Sequence, residues 1–191
     1  MNKQILKAVY VYSCRKERAV RRQMKVLICS DTHGKQDLMK QVIEREEPFE
    51  VLVHAGDMED QVICVLGYTD YQVRIVAGNC DYGLGYSREQ LFDLGKFHTL
   101  LLHGNLCGGM PCNPTHDLNP LCEYAKRKGA DILIYGHTHV PKVVRRDHLL
   151  VINPGSLSLP RQENREPSYA VLNIDGDDIS CEIRYPLMKQ E

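Results

Sequence analysis

Val26-Leu27-Ile28-Cys29-Ser30-Asp31-Thr32-His33-Gly34 joins an apolar run to a polar turn. The four apolar residues read as a buried strand. Asp31 and His33 follow, a carboxylate and an imidazole two residues apart. In extended backbone the side chains of residues i and i+2 point the same way, so one cation lies within reach of both. Gly34 lets the chain turn away, because glycine tolerates backbone angles closed to other residues. A single Asp-x-His after a strand is ordinarily a polar cap. Its meaning depends on whether other strands end in the same way.

They do. From Met24 onward, short apolar strands end in polar, glycine-containing turns, and amphipathic helices often follow. The pattern predicts strands over Lys25–Cys29, Glu50–His54 and Gln72–Val76, with helices over Gln36–Glu46 and Gln61–Leu66. It then predicts a strand pair Leu91–Leu94 and Phe97–Leu102, a loop over 106–114, and a helix over Thr115–Lys128 with Leu118, Leu121, Cys122 and Ala125 on one face. A strand Ile132–Tyr135 follows, then the pairs Val143–Arg145 with Leu149–Ile152 and Tyr169–Ile174 with Ile179–Tyr185. Strands alternating with helices imply an α/β domain with sheets covered on their outer faces. Ligands of such folds sit beyond the carboxyl ends of the strands. Asp31 and His33, Asp57, Asn79, His103, and His137 and His139 all fall just past a strand end, on five successive turns.

Composition sets the bounds. With 191 residues, 43% hydrophobic and 26% charged, the chain has the size and make-up of one globular domain. No apolar run reaches the ~18 residues of a membrane span. The eight cysteines are scattered and form no CxxC pair, so neither a structural zinc site nor a disulfide scaffold is expected, and the expected compartment is the reducing cytoplasm. The net charge of −1 hides an asymmetry: residues 1–23 hold seven Lys/Arg and one acid, leaving 17 basic against 24 acidic residues from Met24 onward, a balance of −7. This body has no basic excess that would favour nucleic acid. Residues 1–23 read as an appendage to a single domain over 24–191, or as sequence upstream of a start at Met24; a basic arm for an acidic partner and a targeting peptide are the other readings.

Taken in order, Asp31-x-His33, Gly56-Asp57, Gly78-Asn79, His103 and Gly136-His137-x-His139 resemble the motifs of the calcineurin-like metallophosphoesterases, and Asn153-Pro154-Gly155-Ser156 resembles their small YfcE-type phosphodiesterase branch. The resemblance implies a four-layer αββα sandwich. It implies that Asp31, His33 and His139 hold one divalent ion, that Asn79, His103 and His137 hold a second, and that Asp57 bridges them. Mixed carboxylate and imidazole ligands suit Mn, Fe, Zn or Ni better than Ca or Mg, and the family points first to Mn. Two such ions, two carboxylates and a bridging hydroxide sum to about +1, which favours an anionic phosphoester and in-line attack by the hydroxide. The implied partner is a small phosphodiester; a membrane is not expected, nucleic acid is disfavoured, and self-association stays open.

The expected catalytic group is Asn79, Cys80 and Asp81. Asn79 would stabilise the equatorial phosphoryl oxygens. Cys80 stands where the wider superfamily has a histidine assigned to leaving-group protonation. It either serves as a poorer proton donor, favouring diesters with good leaving groups, or only packs. Asp81 acts with them or merely orients the loop. Asn105 replaces a further histidine of many relatives, and His54 is expected to support the site or the core rather than bind metal. A non-catalytic scaffold on the same fold, like the retromer subunit that resembles this branch, is the competing function, although such scaffolds tend to lose ligands and all seven are present here.

Overall fold

The computed structural model describes residues 23–186. The basic extension lies, apart from Gln23, outside the described residues. Twelve strands and three helices follow in order: β1 (Met24–Cys29), α1 (Asp37–Glu46), β2 (Val51–His54), α2 (Val62–Leu66), β3 (Gln72–Ile75), β4 (Glu89–Leu94), β5 (Phe97–Leu102), β6 (Leu106–Cys107), β7 (Met110–Pro111), α3 (Asn119–Arg127), β8 (Ile132–Ile134), β9 (Lys142–Arg146), β10 (Leu149–Asn153), β11 (Tyr169–Asp175) and β12 (Asp178–Arg184).

The strands form two mixed five-stranded sheets, ordered β12-β11-β1-β2-β3 and β4-β5-β8-β10-β9. Within them β1, β2 and β3 run parallel, as do β5, β8 and β10. Successive side chains of a strand face opposite sides, and this sorts the apolar runs into layers. Val26, Ile28, Val51 and Val53 of one sheet share a core with Leu101, Ile132, Ile134 and Ile152 of the other. Their neighbours Leu27, Cys29 and Leu52 face Met39, Val42 and Ile43 of α1. On the far side Leu100, Leu102, Leu133 and Val151 face Leu121, Cys122 and Ala125 of α3. The result is helix, sheet, sheet, helix. Strands with both faces buried need apolar residues at every position, which is why β1 and β8 read as continuous runs rather than alternating ones.

Two stretches differ from the sequence expectation. α3 begins at Asn119, four residues later than expected. The Asp117 carboxylate accepts the Asn119 amide at 2.9 Å, and Pro120 fits the first turn because its missing N–H needs no partner there. The expected loop over 106–114 contains the β6–β7 hairpin, turned by Gly108 and Gly109, both at positive φ as a two-residue type I′ turn requires. Among the described residues one disulfide occurs, between Cys107 and Cys112 across this hairpin, a single local bridge rather than the disulfide scaffold that the scattered cysteines argued against. No helix of the described residues is long and apolar enough to cross a membrane.

Candidate functional site

The carboxyl ends of β1, β2, β3, β5 and β8 meet at one edge of the sandwich, and the turns beyond them carry the expected residues together. Asp31 Oδ1 lies 3.0 Å from His139 Nε2 and 3.9 Å from His33 Nε2. Asp57 Oδ2 lies 3.3 Å from His103 Nε2, which is 3.2 Å from Asn79 Oδ1. Ligand atoms of Asp31, His33 and His139 fall within 4.8 Å of one another, as do those of Asp31, Asp57 and His103, and those of His33, Asp57 and Cys80. His137 belongs to none of these groups; its half-buried ring stands edge-on to His103, with centroids 5.1 Å apart.

The convergence does not arise from extended backbone, as the i, i+2 argument supposed. Asp31, His33, Asp57, His137 and His139 all sit at positive φ, between 45° and 65°. Left-handed backbone costs an L-residue roughly 1–2 kcal/mol, less for Asp and His than for branched residues. Five such residues persist because their surroundings over-determine them. The Ser156 and Ser158 hydroxyls both donate to the Asp31 carbonyl, at 2.7 and 2.9 Å. Asn153 Nδ2 donates to the Gly136 carbonyl and to Thr138 Oγ1. The Asn-Pro-Gly-Ser turn thus fixes the strained loops from behind. Two glycines are required by close approach: a Cβ on Gly78 would stand 2.0 Å from Asp57 Oδ1, and one on Gly136 would stand 2.0 Å from Ser30 Oγ.

The hydrogen bonds settle what each histidine offers. His139 Nδ1 is 2.7 Å from the Leu159 carbonyl and His103 Nδ1 is 2.7 Å from the Ala55 carbonyl. His33 Nδ1 is 2.6 Å from the Glu59 carboxylate. These partners only accept, so each Nδ1 carries a hydrogen, and in the neutral ring each Nε2 is left as a lone pair turned toward the carboxylates. Asp31 Oδ1 is buried without a hydrogen bond, His139 Nε2 being close but out of alignment. Lone pairs crowded together in this way are relieved by a proton or a cation. The donor set therefore fits divalent ions of the kind bound by mixed oxygen and nitrogen ligands.

Protonation follows the same logic. Burial disfavours charge on His103, but its bond to Asp57 and the charges of Asp31 and Asp57 raise its pKa. A proton there relieves the same crowding that a metal ion would. Burial also opposes ionisation of Asp31 and Asp57, yet the neighbouring imidazoles hold both below the usual carboxylate range, His139 leading for Asp31 and His103 for Asp57. Burial and then the His103 charge lower the pKa of His137. Cys80 is pushed up to about 11 by burial and by the Asp57 carboxylate.

The three residues after Gly78 separate in role. Asn79 faces His103 through Oδ1, while its Nδ2 rests 3.2 Å from Cys80 Sγ. The Cys80 amide donates to Asp57 Oδ1 at 2.7 Å. Asp81 spends its carboxylate on the amides of Asp57, Glu59 and Gly78, each at 2.7 Å, which ties the second and third turns together. His54 is buried, with Nε2 3.2 Å from Thr32 Oγ1 and a pKa brought down to about 4 by burial. Glu59, absent from the sequence reading, is the brace of His33; nothing in Asp57-Met58-Glu59 marks it, since its partner lies 26 residues away.

Comparison with known proteins agrees with this geometry. The Calcineurin-like phosphoesterase superfamily domain matches residues 24–177. A protein of Methanothermobacter thermautotrophicus named a probable metallophosphoesterase is 33% identical over 165 residues, 84% of this chain and 91% of its own. The Escherichia coli phosphodiesterase YfcE is 29% identical, over 80% of this chain and 89% of its own. A solved Streptococcus pneumoniae structure, described as a predicted phosphoesterase, superposes with a TM-score of 0.72 at 27% identity, covering 86% of this chain and 91% of that one. Vacuolar Protein Sorting 29 from Cryptosporidium parvum shares the fold, with a TM-score of 0.67 at 20% identity over 85% and 98% of the two chains. Motif order, layer architecture and these likenesses place the chain in the calcineurin-like phosphoesterase superfamily.

Proposed function

We propose that the chain is a divalent-metal-dependent phosphodiesterase of small phosphodiesters. Asp31, His33 and His139 would hold one ion, Asn79, His103 and His137 the other, and Asp57 would be common to both, with Mn first among the candidates. Ions bound there supply Lewis acidity: they furnish hydroxide near neutral pH and offset charge on phosphoryl oxygens. The observation that carries the reading is the gathering of three Nε2 atoms and two carboxylates in one place, with each Nδ1 of those rings engaged elsewhere.

The chain's own groups do the rest. Asn79 Nδ2, held only by the weak acceptor Cys80 Sγ, is the donor available to a phosphoryl oxygen. Cys80 is a poor acid for a departing alkoxide, so diesters with acidic leaving groups are preferred over alkyl monoesters. Cys80→His is expected to raise monoester hydrolysis relative to diester hydrolysis; an unchanged ratio would leave the thiol with a packing role.

The test is hydrolysis of bis-p-nitrophenyl phosphate by protein stripped with a chelator and then titrated with Mn. Turnover restored as two equivalents bind supports the reading. Stoichiometric binding without turnover favours a scaffold, the role that a fold shared with a vacuolar sorting protein keeps in view.

A further inference from the structure

We propose that the cleft beside Asn79 and His103 seats the second substituent of the diester, and that Arg88 selects substituents carrying an anionic group. The proposal rests on the phosphodiesterase reading for the position of the scissile phosphate. The cleft has a volume of about 350 Å³ and shares Gly78, Asn79 and His103 with the candidate metal site. Its walls are the loop ending at Arg88 and the hairpin turn Gly108-Gly109. That volume is at the low end for small-molecule sites. It has room for one ring or sugar-sized group beside the phosphate and none for a duplex.

Charge decides what kind of group. Three charged residues line the cleft, Asp81, Arg88 and Glu89, besides the histidine. Asp81 is taken up by three backbone amides. Glu89 is neutralised by Lys128 Nζ at 2.9 Å and accepts the Tyr124 hydroxyl at 2.7 Å. Arg88 has no hydrogen-bond or ion-pair partner among the described residues. Arg88 is therefore the one charged side chain of the wall whose donors are unspent among the described residues, in a body whose balance from Met24 onward is −7. A guanidinium presents a planar fork of donors that matches carboxylate and phosphate groups. The substrate class is thus a phosphodiester with a carboxylate or second phosphate on the group that is not released.

The experiment uses the Mn-loaded full chain and two matched pairs. Binding is measured by calorimetry with phenyl methylphosphonate and 4-carboxyphenyl methylphosphonate. Turnover is measured with 4-nitrophenyl phenyl phosphate and 4-nitrophenyl 4-carboxyphenyl phosphate, which release the same leaving group. The wild type is expected to favour the carboxylated member of each pair by about fivefold, the scale of one solvent-accessible ion pair. The preference should shrink at high salt, vanish in Arg88→Gln, reverse in Arg88→Glu and persist in part in Arg88→Lys. In turnover it should appear in KM rather than kcat. No preference in the wild type, or a preference untouched by Arg88→Gln, overturns the proposal; so does equal weakening of both members, which would put Arg88 on the reacting phosphate. Selective binding without turnover of either ester would retain the subsite and refute the phosphodiesterase instead.

Discussion

The two halves of the candidate metal site are braced by different means. Around Asp31, His33 and His139 many of the supports are side chains: the Ser30 hydroxyl on Asp31 Oδ2, the Glu59 carboxylate on His33, and Ser156 and Ser158 behind the Asp31 backbone. Around Asp57, Asn79 and His103 they are mostly main chain, the Asp81 carboxylate on the Asp57 and Gly78 amides being the side-chain exception: the Ala55 carbonyl lies under His103, the Cys80 amide on Asp57, and the bare Cα of Gly78 against Asp57 Oδ1. Side-chain supports can be removed one at a time. Main-chain supports belong to the path of the chain and yield only when space is filled. The first half is therefore the more open to tuning by substitution, and the second, Asp81 apart, is held by the path of the chain.

Asp57→Asn tests the residue common to both halves and has the largest expected effect. Metal content and bis-p-nitrophenyl phosphate turnover should fall together by more than about a hundredfold, beyond the loss typical of an outer support. Full metal content at full rate would show that Asp57 is not shared. Gly78→Ala attacks the second half where its turn meets Asp57. Its Cβ has no room beside Asp57, so a loss of about 1–3 kcal/mol in urea denaturation and a drop from two bound equivalents to one are expected. Wild-type stability and stoichiometry would show that the turn relaxes freely. Glu59→Ala weakens only the first half, by about 10–100-fold in the affinity of one binding step; an equal shift in both steps would erase the distinction.

The smallest effect is one of pH. His103 has a raised pKa in the folded, metal-free protein, so its contribution to stability is complete below the unfolded value of about 6.5 and is lost as pH rises through the folded one. Thermal melts of the chelated protein should show this decline as pH rises above the unfolded value, and His103→Gln should flatten it. Metal uptake displaces the same proton, so calorimetry in buffers of different ionisation enthalpy should show proton release from the second half. A melt profile unaltered by the substitution would mean that His103 is not the proton carrier.

The side chains that gather past the strand ends were legible in the sequence, whereas their supports were not. Asp31, Asp57, Asn79, His103 and His139 each follow an apolar strand, a local pattern visible without coordinates. The disulfide and hairpin at 106–112 were passed over, although Gly108-Gly109 between Cys107 and Met110 carries a turn signature. Glu59 and Ser158 have no local signature at all, because they act on residues 26 and 127 positions away. The same holds for Arg88, whose lack of a partner among the described residues is a property of what surrounds it.

By itself the sequence determined the layers and the kinds of side chain that gather past the strand ends. Strand periodicity selects which side chains enter the core, and polar residues after strands must collect where strands end. Only the tertiary structure decided that five of the site residues take left-handed backbone, which ring nitrogen of each histidine is free, and that a proton or a cation must relieve the crowding of lone pairs. Those outcomes depend on distances between turns far apart in the chain, and no local pattern of residues encodes a distance.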